Sequence, residues 1–142
     1  MFQVNLQRNG NVAPLAFSGQ RVREANSGTS STSVLNYDEA TINTEEVLNL
    51  NNGVFTAARR GVYALSISLS LKRQDTDSTF DGYVYKNGAQ IYNFMDTHTD
   101  GNFHNLAYFW MDLLEAGDTI KITADSVEFG SGNLSVFSGF QL

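Results

Sequence analysis

The run GVYALSISLSLK, Gly61 to Lys72, decides the fold class. Tyr63, Leu65, Ile67, Leu69 and Leu71 fall on one side of it, and Val62, Ala64, Ser66, Ser68 and Ser70 on the other. A period of two held this long is a β-strand, because a helix of the same sequence would scatter the large residues around its axis. The second face is small but uncharged, as expected where something packs closely over it.

Working outward, NLAYFWMDLL (Asn105 to Leu114) is a second strand of a different kind. Leu106, Tyr108, Trp110 and Leu114 share one face, with Asp112 breaking the row, and Ala107, Phe109, Met111 and Leu113 share the other. A strand that is apolar on both faces must be covered on both. In a two-layer sandwich the outer face of each sheet meets water, so the expected cover is another copy of the chain.

Turn chemistry separates the remaining strands. Asn87-Gly88 lies between two alternating runs, TFDGYVYK and AQIYNFMD, and predicts a hairpin, because Asn-Gly supplies two residues that accept positive φ. Asn9-Gly10 and Asn52-Gly53 are further turn signals. PLAFSG (Pro14 to Gly19) predicts a first strand, with Pro14 where its missing N–H matters least. Asn26 to Ser33 is a polar loop. Ser33 to Tyr37 and Thr41 to Leu50 are predicted edge strands. The alternative over Asn43 to Asn49 is a short helix, with Thr44 as cap and Glu45 and Glu46 in its first turn. EAGD (Glu115 to Asp118) is a turn, TIKITAD a strand with Ile120, Ile122 and Ala124 inward, GSGN (Gly130 to Asn133) a turn and LSVFSGFQL the last strand. Eight to ten short strands with no long helix predict an all-β antiparallel sandwich or barrel.

Composition narrows the function. The 142 residues suffice for one domain, expected to span 1–142 with residues 1–12 as a frayed or edge segment. There is no cysteine, hence no disulfide, thiolate zinc site or cysteine nucleophile. A net charge of −6 argues against binding a phosphate backbone. No apolar run approaches the length of a membrane-spanning helix, and MFQVNLQRNGN lacks the apolar stretch of a signal peptide.

The ordered set of motifs resembles the globular head domain of complement component C1q, a branch of the tumour-necrosis-factor-like jelly rolls. The residues that carry the resemblance are Ala16, Phe17 and Ser18; Gly53, Phe55, Thr56 and Ala57; Gly61 and Tyr63; Lys86, Asn87 and Gly88; Leu114, Gly117 and Asp118; and Phe137, Ser138, Gly139 and Phe140. Where the family usually has Pro before Gly-x-Tyr, this chain has Arg59 and Arg60, and it carries no collagen-like stalk. The resemblance implies a jelly roll of about ten strands that assembles as a compact homotrimer. It makes Phe17, Phe55, Tyr63, Tyr108, Phe109, Trp110, Met111, Phe137 and Phe140 candidates for the core or the contact between copies. Phe137 and Phe140 lie on opposite faces of the last strand, so one should fill the core and the other meet a neighbour.

Candidate sites lie in loops. MDTHTDGN (Met95 to Asn102) brings Asp96, His98 and Asp100 close in sequence, and loop oxygens suit calcium. The resemblance implies calcium near a three-fold axis, held by Asp96 and Asp100 from each copy. Asp75, Asp77 and Asp81 form a second acidic loop, a ligand-contact region weighed against a merely solvated one. Arg59 and Arg60 could pair with an oxyanion, against the simpler expectation that they are solvated. His98 and His104 are the only histidines, and neither a Gly-x-Ser-x-Gly elbow nor His-Glu-x-x-His occurs, so no enzyme is expected. The resemblance thus implies a secreted, non-catalytic, lectin-like module of innate immunity that recognises glycans or other extracellular ligands, with no nucleic acid and no membrane insertion. The alternative is a structural or signalling trimer, a synaptic-organiser or cytokine-like head or a surface knob, that binds a protein partner.

Overall fold

The computed structural model describes residues 14–21, 33–34, 36–73, 80–96, 104–125, 127–129 and 135–142. The N-terminal segment 1–12, most of the loop from Asn26, the turn Gly130 to Asn133, and Asp75, Asp77, His98 and Asp100 lie outside the described residues.

The strands are β1 (Ala16–Arg21), β2 (Ser33–Val34), β3 (Glu39–Asn43), β4 (Leu48–Asn49), β5 (Val54–Thr56), β6 (Gly61–Arg73), β7 (Phe80–Lys86), β8 (Ala89–Asp96), β9 (His104–Leu114), β10 (Thr119–Asp125), β11 (Val127–Phe129) and β12 (Ser135–Gln141). They form two antiparallel sheets. The first runs β3-β1-β12-β6-β9, with β11 continuing alongside β6 beyond the end of β12. The second runs β4-β5-β10-β7-β8, with β2 on β10 beside β5. Because β11 shares an edge with β12 and β2 shares one with β5, the twelve segments occupy five places in each sheet. The fold is therefore the ten-place antiparallel jelly roll.

The core is the layer between the sheets. Tyr63, Leu65, Ile67 and Leu69 from β6 are all buried, as their alternation requires, and meet Ile120, Ile122 and Ala124 from β10 within one cluster. Aromatic rings bridge the layer. Phe55 of the second sheet stacks on Phe17 of the first at 4.7 Å and meets Tyr63 edge-on at 5.5 Å. Phe17 in turn meets Phe137 edge-on at 4.9 Å. Such pairs add about 0.5–1.5 kcal/mol each beyond the area they bury. At the β8–β9 side, Tyr92 and Phe94 face Tyr108 and Trp110 across the layer. Asp112, which interrupts the apolar row of β9, reaches Lys86 of the second sheet at 3.3 Å. A carboxylate on the inward face is thus met by an ammonium from the opposite sheet.

The hairpin at Asn87-Gly88 has both residues at positive φ, 51° and 80°, as a two-residue turn matched to strand twist requires. Gly82 of β7 is needed for a different reason: a Cβ there would stand 2.1 Å from the Phe94 ring.

The edge strand expected over Thr41 to Leu50 is broken. β3 ends at Asn43, Thr44–Glu46 form a 3-10 turn and β4 follows. Glu45 and Glu46 take positive φ, and Thr44 is not the capping residue. Asn43 closes the loop, its Nδ2 donating to the Leu48 carbonyl at 2.8 Å and its Oδ1 accepting from the Leu48 N–H at 3.0 Å. The strand predicted over Ser33 to Tyr37 reaches only Ser33–Val34 among the described residues, and β11 is an additional short strand.

Two consequences are measurable. Phe137 is fully buried, so Phe137→Ala should lower unfolding stability by about 3–5 kcal/mol in denaturant titration. Asp118 ties the β9–β10 turn to the β7–β8 hairpin. Its carboxylate accepts from Asn87 Nδ2 at 2.9 Å and from the Glu115 N–H at 2.8 Å, while Asn87 Oδ1 accepts from the Thr119 N–H. The Asn87 bond first, and the Glu115 bond second, hold the Asp118 pKa below the usual carboxylate value. A depressed folded-state pKa stabilises above the unfolded value of about 4 and is lost as pH falls through the folded value. Asp118→Asn should therefore lower the denaturation midpoint at pH 7 and flatten its decline under acid conditions.

Candidate functional site

The outer face of the first sheet is built from residues that pair directly across its strands. Ile42, Ser18, Ser138, Ser66 and Phe109 form one row from β3 to β9. Ala16, Phe140, Ala64 and Met111 form the next, and Val62 with Leu113 lies beyond. Cross-strand partners share a face, so these side chains all point away from the core. Phe109 is 64% exposed and Met111 57%. Ile42, Val62, Leu113 and Phe140 are also exposed. Between the walls made by Ile42, Phe109 and Phe140, the small residues Ala16, Ala64, Ser66 and Ser138 floor a shallow depression of about 250 Å³.

None of these rows contains a charged residue, and the three serines of the first are hydrogen-bonded within the sheet, Ser66 Oγ lying 3.0 Å from Ser138 Oγ and Ser18 Oγ accepting from Gln20 Nε2 at 2.9 Å. Monomeric soluble proteins rarely leave contiguous apolar patches beyond a few hundred Å² open to water, and larger ones mark interaction surfaces. The covering expected for the Asn105 to Leu114 strand is thus still required once its inner face has been buried against the second sheet.

The candidate core and contact residues divide between the two sides of this sheet and its partner. Phe17, Phe55, Tyr63, Trp110 and Phe137 lie in the core, and Tyr108 packs half-buried against it. Phe109, Met111 and Phe140 lie on the outer face. The last strand separates its two rings as its alternation predicts, with Phe137 at 0% exposure and Phe140 at 46%. Ile42 belongs to the same patch but carries no local signal in sequence, and only the pairing of β3 with β1 places it there. Val62, by contrast, lies on the uncharged face of β6 that its alternation marks, and its pairing with Leu113 joins it to β9.

The polar candidates are more scattered. Arg59 Nη2 pairs with Glu45 at 2.8 Å, whereas Arg60 Nε pairs with Glu115 at 2.9 Å. Adjacent in sequence, the two arginines serve different carboxylates and do not converge. The bend between them is held by the buried Tyr63, whose hydroxyl donates to the Arg59 carbonyl at 2.6 Å, and by Gln141, whose Nε2 donates to the Arg60 carbonyl at 3.0 Å. Asp81 lies on β7 and Asp96 at the end of β8, paired in register with Met95 and Phe80 respectively. The side chains of Asp81 and Asp96, and all of Asp75, Asp77 and Asp100, fall outside the described residues. No group of three or more His, Asp or Glu side chains suited to a metal occurs among the described residues. Burial raises the Tyr37 phenol pKa well above its usual range, with nearby Arg21 opposing the shift, so Tyr37 is a neutral core residue. No helix among the described residues is long and apolar enough to cross a membrane.

Comparison with known proteins bears on this geometry directly. The family model for the C1q domain matches residues 16–142. No curated protein sequence matches the chain. Among solved structures, the globular domain of zebrafish complement 1qA protein superposes with a TM-score of 0.72 at 16% identity, covering 90% of this chain and 97% of that one. Murine APRIL at pH 5.0 superposes with a TM-score of 0.69 at 12% identity, covering 92% of this chain and 100% of that one. C1q and tumour-necrosis-factor-like domains are typically trimeric recognition or signalling modules, generally non-enzymatic, and C1q-domain proteins are typically extracellular. Since the family match begins at the first residue of β1 and runs through the last strand, this chain belongs to the C1q domain family.

Proposed function

We propose that the protein is a non-catalytic, extracellular homotrimer whose copies meet through the outer face of the first sheet, and that it recognises glycans in a lectin-like way. The single observation that carries the assembly is the exposed ridge of Phe109, Met111 and Leu113 beside the depression floored by small residues. A closed ring of three uses a heterologous contact, in which one patch of a copy meets a different patch of the next. A ridge and a depression on one sheet supply two such patches.

Trimerisation would repeat every ligand contact three times, so that weak single-site binding gains from multivalency. It would also triple a charge of −6 per chain, which disfavours polyanions as long-range attractants and favours uncharged ligands or a shared cation. Calcium held by Asp96 and Asp100 belongs to this proposal. The second reading, a structural or signalling trimer that binds a protein, rests on the fold shared with murine APRIL. It uses the same assembly and differs in the ligand.

Sedimentation at micromolar concentration should find a trimer, and the double substitution Phe109→Asp with Met111→Asp should yield a folded monomer. A stable wild-type monomer would overturn the assembly. A glycan-array screen of the trimer, with and without calcium, addresses the ligand. Lectin-like recognition predicts retention that a simple sugar competes away, whereas a protein-binding trimer ignores the whole panel. If calcium is bound, chelator should lower the melting temperature, because a ligand specific to the native state stabilises it.

A further inference from the structure

The outer face of the second sheet has a different chemistry from that of the first. Val84 is fully buried, so its neighbours Tyr83 and Tyr85 on β7 face away from the core. In register, Tyr83 lies between Asn93 of β8 and Thr123 of β10, and Tyr85 lies between Gln90 of β8 and Lys121 of β10. Each row therefore sets a half-buried aromatic ring beside an exposed amide, with Lys121 on the other side of Tyr85 and the buried Thr123 on the other side of Tyr83. The two rings stand 6.3 Å apart, tilted by 54°. Lys121 Nζ sits 5.5 Å from the centre of the Tyr85 ring. Thr123 Oγ1 is buried and has no hydrogen-bond partner among the described residues.

We propose that this face, centred on Tyr83 and Tyr85, is a binding platform for an uncharged oligosaccharide. A pyranose ring has an apolar C–H face and a rim of hydroxyls, so it is matched by tyrosine rings flanked by the exposed Asn93 and Gln90 amides and the Lys121 ammonium. Tyrosine is suited to such a place because it presents an apolar body and a polar tip. The alternatives fit less well. A polyanion would need clustered cations, and the two rows contain one, Lys121, already placed over Tyr85. A second copy of the chain would seek the apolar side chains that the first sheet displays and these two rows lack. An added β-strand needs a sheet edge, and both β7 and β10 are interior strands. The face also lies on the opposite side of the sandwich from the proposed contact between copies, so trimerisation leaves it open. The platform rests on the lectin-like reading above and deepens it by moving the ligand from loop tips to a sheet face.

The test uses the whole chain and three immobilised uncharged polysaccharides: a β-1,3-glucan, a mannan and chitin. The wild type should be retained by at least one. Tyr83→Ala and Tyr85→Ala should each weaken that retention about tenfold or more, while Tyr83→Phe and Tyr85→Phe keep most of it. Unchanged melting temperatures would show that the alanine variants fold. Asn93→Ala, at an exposed position of the edge strand, gives a second probe and should also weaken retention. A polysaccharide bound equally by wild type and both alanine variants would overturn the platform and leave the lectin-like reading standing. Retention by none of the three would overturn the platform, and failure on the wider array would overturn that reading as well.

Discussion

The contact between Phe55 and Phe17 is the joint on which the rest of the structure depends. One ring comes from each sheet, and they stack at 4.7 Å at the centre of the layer. Phe137 and Tyr63 close around them. Packed sheets stand about 10 Å apart, a gap that must be filled by side chains from both inner faces. Here aromatic rings fill it without cysteines, so the two sheets are held together by packing and not by a disulfide. The Lys86–Asp112 pair adds a polar tie at one side of the layer. Its worth lies in neutralising an inward carboxylate more than in net stability, since ion pairs give back in desolvation much of what they gain.

A sandwich with one interior has two exteriors, and in this protein they are unlike. The first sheet turns Phe109, Met111, Leu113 and Phe140 outward around a floor of alanine and serine. The second turns out tyrosine, amide and lysine. The inner faces are alike in kind, because both serve one core. The outer faces differ because nothing in the sandwich constrains them, and it is there that association and recognition can be separated. A face that excludes water suits a contact between copies. A face that mixes rings with hydrogen-bonding groups suits a ligand that is itself half apolar and half hydroxylated.

Much of the scaffold was legible along the chain. The alternation of Gly61 to Lys72, the Asn87-Gly88 turn and the inward set Ile120, Ile122 and Ala124 each express a local rule, and the structure follows them. The edge near Asn43 was less so. There, two side-chain hydrogen bonds to Leu48 override the strand propensity of the segment, and such bonds depend on a loop closing at the right length. Thr123 shows the same limit. Its place in the alternation points outward to water, yet the folded chain buries it.

The residue order by itself determined the first, last and long central strands, which side of several of them is apolar, and that Asn105 to Leu114 needs cover on both faces. These follow from periodicity, which each strand carries within itself. Only the tertiary structure decided that Ile42, Phe140 and Phe109 form one surface, that Arg59 and Arg60 diverge to separate carboxylates, and that Tyr83 and Tyr85 stand between polar neighbours from two other strands. The physical reason is that sheet pairing joins residues far apart in the chain. A row across five strands is written in no single segment, and its chemistry exists only once register has been set.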